Sequence, residues 1–243
     1  MSAQKPSIII KHVLETSVLF LLLSIFSIQS HADLSVGDTY GGGTVFCVSQ
    51  TPDLKSCVIQ GAGKYGLIMA NEDQANFDSP NHGVHWANER KEIKAAQSDD
   101  DGLSNTKAII AAHPKDNPSN NAAWLCYEYN RTHGQDASKD LSGWYLPAKD
   151  ELNKIYLFAK ANNLIGKGCA GSKAGGVQCL VGGGNYEGDK DWNKDNQYKI
   201  YWSSTEYSGS YVFAWSQFFT DGYQYDYYKA TKWLVWRACR SGF

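Results

Sequence analysis

The 243-residue chain has little proline, little excess charge, and no apolar run long enough to span a bilayer comfortably. It contains six prolines, and its formal net charge is -2 with 20% charged residues. So small a net charge excludes a polybasic nucleic-acid binder, and the 42% hydrophobic content excludes an intrinsically disordered chain. No Gly-X-Y repeat is present, which excludes a collagen triple helix. The composition predicts a globular protein.

The longest apolar run lies close to the N-terminus. It extends from Val18 to Ile28, follows Lys5 and Lys11, and is followed by small residues up to Ala32. This pattern is typical of a secretory signal peptide, although an uncleaved anchor is the alternative. We therefore expect residues 1–32 to be a signal peptide and residues 33–243 to be a single exported domain. No transmembrane segment is expected after removal of the signal, and the destination is the periplasm, the outer surface or the medium.

Six cysteines follow the predicted signal peptide, and none of them belongs to a C-x-x-C pair. An even number in an exported chain favours disulfides over a zinc site. Fifteen pairings are possible in principle. Turn-forming residues between neighbouring cysteines favour two local bridges, Cys47 with Cys57 and Cys169 with Cys179. The remaining pair, Cys126 with Cys239, would form a bridge between positions distant in sequence.

Hydrophobic patterning predicts an α+β protein with two helices. Short apolar or alternating runs indicate strands at 44–48, 57–59, 66–70, 201–204, 211–219, 223–228 and 233–240, the last four in one antiparallel sheet. One helix follows residues 117–119 and carries Ala123, Cys126 and Tyr127 on one face. The other follows Pro147, with Leu152, Ile155, Tyr156 and Ala159 on its apolar face. The polar stretch 71–104 is predicted to be loop.

The order of six short motifs resembles that of a known family, the Lcl C-terminal domain family. The motifs are Gly41 to Phe46, Gly66 to Ile68, Asn105 to Ile109, Gly143 to Pro147 with Glu151 and Leu152, Tyr201 to Glu206, and Trp236 to Arg240. The resemblance implies a C-type-lectin-like fold, with two helices packed on an antiparallel sheet, and binding of glycans, as in a collagen-like bacterial adhesin. Ala148 departs from the family, which usually has Ser or Thr there, so we expect a helix cap worth about 1 kcal/mol to be lost.

The sequence provides no recognisable catalytic set. Ser203 and Ser204 lie outside a G-x-S-x-G motif, and the four histidines after residue 32 belong to no catalytic motif. A C-type-lectin-like fold is shared by formylglycine-generating enzymes, which need reactive cysteines near the C-terminus, where Cys239 stands alone. We therefore expect a binding protein without catalytic residues. An enzyme of the formylglycine-generating type remains an alternative.

Three groups of residues could hold a metal ion, but each is better explained as a solvated loop. His82, His85 and Glu89 lack the helical spacing of zinc proteases. The adjacent acids Asp99 to Asp101 and the oxygen-bearing residues between Asp189 and Asp195 offer calcium ligands without an EF-hand frame. We expect no metal and no cofactor, with calcium at the second of these acidic segments as the alternative.

Alternating aromatic residues are the most informative feature. Tyr211, Phe213 and Trp215 alternate with small apolar residues, which predicts burial in the core. The second alternating set is separated by Gln224 and Asp226, so a solvent-facing strand that stacks on sugars and simple packing within the sheet are both open. The predicted ligand-binding residues are Tyr223, Tyr225 and Tyr227 with Trp192, Asn193, Lys194, Asp195 and Lys199 from the Gly-rich segment before the sheet. The expected partner is a glycan or a cell-surface polymer, and the alternative is an envelope assembly protein that uses the same rings as a protein interface.

Overall fold

Short antiparallel strands and three α-helices form the part of the chain that the computed structural model describes. That part comprises residues 33–71, 84–133, 143–165, 200–219, 221–231 and 239–241, without the side chains of 130–133 and 239–241. The strands are β1 (Leu34–Ser35), β2 (Thr39–Tyr40), β3 (Gly43–Ser49), β4 (Ala62–Gly63), β5 (Tyr65–Ala70), β6 (Trp144–Tyr145), β7 (Ile200–Glu206), β8 (Phe213–Phe218), β9 (Gln224–Tyr228) and β10 (Cys239–Ser241). The helices are α1 (Gly102–Ala112), α2 (Ala122–His133) and α3 (Lys149–Ala161). The predicted α+β class is therefore confirmed.

The core lies against a five-stranded antiparallel sheet. Its strand order is β2, β3, β5, β10 and β6, and a separate two-stranded ribbon joins β1 to β4. The central strands β3 and β5 are buried on both faces, as expected for continuous apolar runs. The predicted pairing of 44–48 with 57–59 is reduced to one isolated bridge between Val48 and Val58, since β5 is the main partner of β3.

The C-terminal strand does not join the sheet that the sequence predicted. Strands β7, β8 and β9 form their own three-stranded antiparallel sheet. Strand β10 instead lies between β5 and β6, with Cys239 opposite both Met69 and Tyr145. The prediction of one four-stranded sheet is wrong because alternation identifies a strand but not its partner.

The described part of the chain contains three α-helices, so the prediction of two is wrong. Helix α1 starts directly after the acidic run, where Asp101 accepts hydrogen bonds from the backbone N–H and hydroxyl of Ser104. Residues 84–101 are irregular apart from one short 3-10 turn, Lys94–Ala96, as the loop prediction required, whereas residues 102–104 of the predicted loop belong to α1. In α3, the four predicted apolar positions are all buried.

One of the three predicted disulfides is confirmed and one is wrong. Cys47 and Cys57 are bridged with a Cα–Cα distance of 5.5 Å. Cys126 is a free, fully buried cysteine, so the predicted bridge to Cys239 is absent. The inward face of α2 places this thiol in the apolar core, where an unpaired cysteine packs as a small hydrophobic residue. Cys169 and Cys179 lie outside the described residues.

The first turn of α3 is capped from another part of the chain. Ala148 provides no side-chain cap, as the sequence predicted. The hydroxyl of Thr205 on β7 instead accepts from the N–H of Lys149 at 3.0 Å, and the carbonyl of Asp99 accepts from the N–H of Asp150 at 2.8 Å. Tertiary acceptors thus satisfy two N–H groups of the first turn, and one of them, that of Asp150, is a group that a capping serine could have bonded, so part of the expected loss of cap energy is offset.

Glu151, in the same turn, is a fully buried carboxyl group. Its oxygens accept from the N–H of Ala148 at 2.8 Å and from the hydroxyl of Tyr145 at 2.9 Å. Burial raises the pKa of Glu151 to about 7, although hydrogen bonds from Ala148, Tyr145 and the backbone of Gly102 oppose the shift. The group therefore joins α3 to β6 largely in its protonated form below neutral pH, and about half of it is protonated at pH 7.

We expect this raised pKa to make stability depend on pH. In the unfolded chain Glu151 ionises near its ordinary pKa of 4.5, whereas in the folded chain it keeps its proton up to about pH 7. The contribution of Glu151 to the free energy of unfolding is therefore complete below pH 4.5 and is lost as the pH rises through 7. Urea unfolding of the wild type and of Glu151→Gln at pH 4, 6 and 8 measures this pH dependence. The free energy of unfolding of the wild type should fall by about 3 kcal/mol relative to that of the variant between pH 4 and pH 8. A difference between the two proteins that does not change with pH would contradict this.

A buried ion pair fixes the irregular segment 84–97 onto the three-stranded sheet. Lys229, directly after β9, donates to the carboxylate of Glu206 on β7, and both side chains are fully buried. Glu206 also accepts from the N–H of Ile93 and the side chain of Gln97, while Lys229 donates to the carbonyl of Lys91. The segment is thus held by charge-assisted hydrogen bonds, which are stronger than neutral ones.

Removal of the Lys229 charge should strongly destabilise the protein. Lys229→Met leaves Glu206 buried without its partner, which typically costs about 3 to 5 kcal/mol of unfolding free energy. The double variant Glu206→Gln with Lys229→Met removes both charges and should recover part of that loss. Lys64→Met changes an exposed lysine and serves as the control for urea unfolding. A Lys229→Met protein as stable as the Lys64→Met control would show that the pair contributes nothing.

Candidate functional site

The predicted site residues divide into a described set and a set outside the description. Trp192, Asn193, Lys194, Asp195 and Lys199 lie outside the described residues. The three tyrosines lie on and beside β9 and are described in full.

The pairing of β8 with β9 places the three tyrosines on one face of the sheet. Tyr225 lies opposite Ser216 and Tyr227 lies opposite Ala214, and directly opposed residues of an antiparallel pair point to the same face. Tyr223 precedes β9 and accepts through its carbonyl from the N–H of Phe218 at 2.9 Å. Two-residue spacing puts all three rings on the same side.

Phe218 joins the same aromatic surface, which the sequence did not reveal. Its ring centroid lies 5.4 Å from that of Tyr225 and 6.1 Å from that of Tyr227. The rings of Tyr223 and Tyr225 are 6.1 Å apart. These four residues, Phe218, Tyr223, Tyr225 and Tyr227, are called the aromatic ladder below. In the sequence Phe218 is followed directly by the apolar Phe219, and only the strand register shows which face Phe218 shares.

Exposure of the ladder increases towards the β8–β9 turn. Tyr227 is half-buried, Tyr225 is 49% exposed and Tyr223 is 63% exposed. The covered end lies beside the segment 84–97, because Glu206, opposite Ala214, binds Ile93. The ladder therefore emerges from beneath this segment, with its most accessible rings at the turn.

The first set of alternating rings is not buried in the core, so that prediction is wrong. Tyr211 is 53% exposed, and Phe213 and Trp215 are half-buried. The small residues Ala214 and Ser216 occupy the fully buried positions. Ser216 lies opposite Trp202 on β7, and the indole N–H of Trp202 donates to the carbonyl of Val84. The segment 84–97 therefore packs against the face that carries Ala214 and Ser216, where only small side chains fit.

On the opposite face of the hairpin, cations cover the aromatic rings. The ammonium of Lys149 lies 4.7 Å from the ring centroid of Trp215, and the guanidinium of Arg90 lies 4.2 Å from that of Tyr228. Within the described residues, no cation lies over a ladder ring. Tyr223 and Tyr225, which are 63% and 49% exposed, are the ladder rings most accessible to another molecule.

The opposite face also ties the hairpin to α3. The side chain of Gln217 donates to Asn153 at 2.8 Å, and that of Gln224 donates to the carbonyl of Lys149 at 2.8 Å. Gly222 in the turn packs against the ring of Tyr156. The ladder is therefore presented on a hairpin that a helix supports from behind.

Strand β7 begins directly after the Gly-rich segment of the sequence. Lys199 is covalently bonded to Ile200, and Ile200 lies directly opposite Phe218. At its other end the segment leaves the described structure after Ile165.

The acidic run that was considered as a calcium loop is used within the fold. Asp99 pairs with Lys149 at 2.7 Å, Asp100 pairs with Lys55 at 3.0 Å, and Asp101 caps α1. The Lys55 ammonium holds the pKa of Asp100 below its usual range. In the described parts of the chain, no group of three or more His, Cys, Asp or Glu side chains is placed to hold a metal ion.

The described part of the chain shows one buried thiol outside the disulfide. Burial raises the pKa of Cys126 well above its usual value, which keeps the sulfur protonated and unreactive. Cys239, the cysteine named for the formylglycine-generating alternative, is described by its backbone alone. None of the described helices is long and apolar enough to cross a membrane.

Comparisons with known proteins give no relative for this chain. No family model matches it, and neither a curated protein nor a solved structure shows significant similarity. The resemblance to the Lcl C-terminal domain family therefore remains a hypothesis that rests on the order of the motifs.

Proposed function

We propose that the protein is an exported binding domain of C-type-lectin-like architecture that attaches to a glycan or a cell-surface polymer through the aromatic ladder. The carrying observation is the exposure of Tyr223 and Tyr225 on one sheet face beside Phe218. Three helices with antiparallel sheets are compatible with the lectin-like fold that the motif order implies. The Cys47–Cys57 bridge supports export, because such bonds persist in oxidising compartments.

The chemistry of the ladder suits a sugar. A tyrosine ring presents an apolar face and a polar hydroxyl, and a pyranose likewise presents C–H groups on one side and hydroxyls at its rim. Neighbouring rings 6.1 Å apart can contact successive parts of one extended ligand. Each contact contributes little free energy, so binding should be weak per sugar and should gain from repetition along a polymer.

The same rings would also suit a protein partner, as in an envelope assembly protein. Tyrosine and phenylalanine are enriched at the centre of protein interfaces. A protein interface would retain a protein, whereas a sugar-binding face would retain glycans. A glycan array probed with and without chelator is therefore the first experiment. Retention that disappears with chelator would indicate calcium. The absence of any glycan signal would favour the protein partner.

Tyr225→Ala should weaken glycan binding by about 1 to 3 kcal/mol, because it removes the central exposed ring of the ladder. Its melting temperature should change little, since the ring is 49% exposed. Affinity for the best array glycan and thermal unfolding are measured on the same variant.

Tyr211→Ala is the matched control. Tyr211 is 53% exposed and lies outside the ladder, so its replacement should leave affinity unchanged. A large loss of stability in Tyr225→Ala with unchanged affinity would refute the proposed binding face. Equal losses of affinity in both variants would do the same.

A further inference from the structure

Strand β9 forms one edge of the three-stranded sheet. The carbonyl of Tyr223 accepts from the N–H of Phe218 at 2.9 Å, so Tyr223 and every second residue after it turn their backbone groups towards β8. The N–H and C=O groups of Gln224 and Asp226 therefore point away from β8. Within the described residues, no hydrogen bond is made to these outward groups.

The opposite edge of the same sheet is covered at its centre. On β7, the N–H of Ser204 donates to the carbonyl of Pro147 at 2.7 Å. The edge of β9 is closed only at its far end, where the carbonyl of Tyr228 accepts from the N–H of Thr231 at 2.8 Å. Residues 223–227 are thus the open part of this edge in the described structure.

This open edge lacks the features that usually keep an edge strand from pairing with another chain. Residues 223–227 contain no proline and no lysine, and their pairing with β8 has no bulge. The single charge among them is that of Asp226. A regular edge rich in tyrosine is a template for the addition of a further strand.

The sequence of the open edge is complementary to itself. It runs Tyr223, Gln224, Tyr225, Asp226 and Tyr227, and reversing it only exchanges the glutamine with the aspartate. A two-fold axis at Tyr225 therefore places this residue opposite its own copy and Tyr223 opposite Tyr227, and opposed aromatic residues stabilise a strand pair. The same axis places Gln224 opposite Asp226, so that an amide donor meets a carboxylate and the outward backbone groups bond in pairs.

Other registers of the same antiparallel pairing are less favourable. An axis at Asp226 places two carboxylates opposite each other, and like charges there are destabilising. An axis at Gln224 requires the N–H of Gly222, which already donates within the turn at 2.8 Å. An axis beyond Asp226 reaches the closed end of the edge. The axis at Tyr225 uses only groups that the described chain leaves open.

We propose that β9 pairs with β9 of a second copy of this chain, antiparallel and about a two-fold axis at Tyr225. Two three-stranded sheets then join into one sheet of six strands, and the two ladders lie side by side on one face of it. The pairing involves few residues, so the dimer should be weak and should depend on protein concentration. It is measured without any sugar and stands independently of glycan binding.

Sedimentation velocity of the exported protein from about 5 to about 500 µM tests for the dimer. The sedimentation coefficient of the wild type should rise with concentration towards that of a dimer. Asp226→Pro removes an outward N–H and should remain monomeric, whereas proline at an open sheet edge leaves the pairing with β8 intact. Tyr211→Ala changes an exposed ring outside β9 and should associate as the wild type does. A wild type that stays monomeric throughout, or an Asp226→Pro protein that associates equally well, would overturn the dimer.

Cysteine substitutions test the register and do not depend on the proline variant. In the proposed register, position 225 faces its own copy at a Cα–Cα distance of about 4.5 Å, which a disulfide can span. Position 223 lies about 13 Å from its own copy along the strand. Mild oxidation should therefore link Tyr225→Cys into a covalent dimer on non-reducing electrophoresis and leave Tyr223→Cys, like the wild type, unlinked.

Tyr223→Cys is the matched control because Tyr223 is the more exposed of the two residues, at 63% against 49%. A mixture of Tyr223→Cys with Tyr227→Cys should cross-link, since the two positions face each other across the axis. Equal cross-linking of Tyr223→Cys and Tyr225→Cys on their own, or no cross-linking of Tyr225→Cys, would refute the axis at Tyr225.

Discussion

The buried pair of Glu206 and Lys229 is the interaction that holds the segment 84–97 beside the aromatic ladder. It brings two charges out of water at the end of the three-stranded sheet and binds the segment 84–97 over them. The ammonium also lies 4.3 Å from the centroid of the Trp86 ring, and that ring's indole N–H donates to the carbonyl of Ser203. One end of the sheet face is therefore sealed. The other end, with its rings, stays accessible.

Local patterns in the sequence were sufficient for part of this arrangement. Alternation placed Tyr223, Tyr225 and Tyr227 on one face, and the apolar stripe identified the buried side of α3. The turn residues between Cys47 and Cys57 indicated their bridge. Each of these features depends on neighbours along the chain, which is why the sequence contains them.

Features set by distant contacts could not be predicted in this way. Phe218 belongs to the ladder because of strand register, and β10 lies between β5 and β6 because of tertiary pairing. Ala148 removed a cap from the sequence pattern, yet Thr205 provides an acceptor from another strand. Phe213 and Trp215 were predicted to be fully buried, but they are half-buried. Large apolar rings suggest burial, yet the sequence does not show which face of the sheet another segment covers.

The support of the β8–β9 hairpin by α3 has a mechanical consequence. Under the proposed binding function, a polymer held on the ladder would pull on the hairpin, and a free hairpin would open one hydrogen bond at a time. Here Gln217, Gln224 and Gly222 fasten both strands and the turn to the helix. Tension is therefore transmitted to a helix whose inner face packs on the main core. Several hydrogen bonds between the hairpin and the helix would have to break together before the hairpin separates.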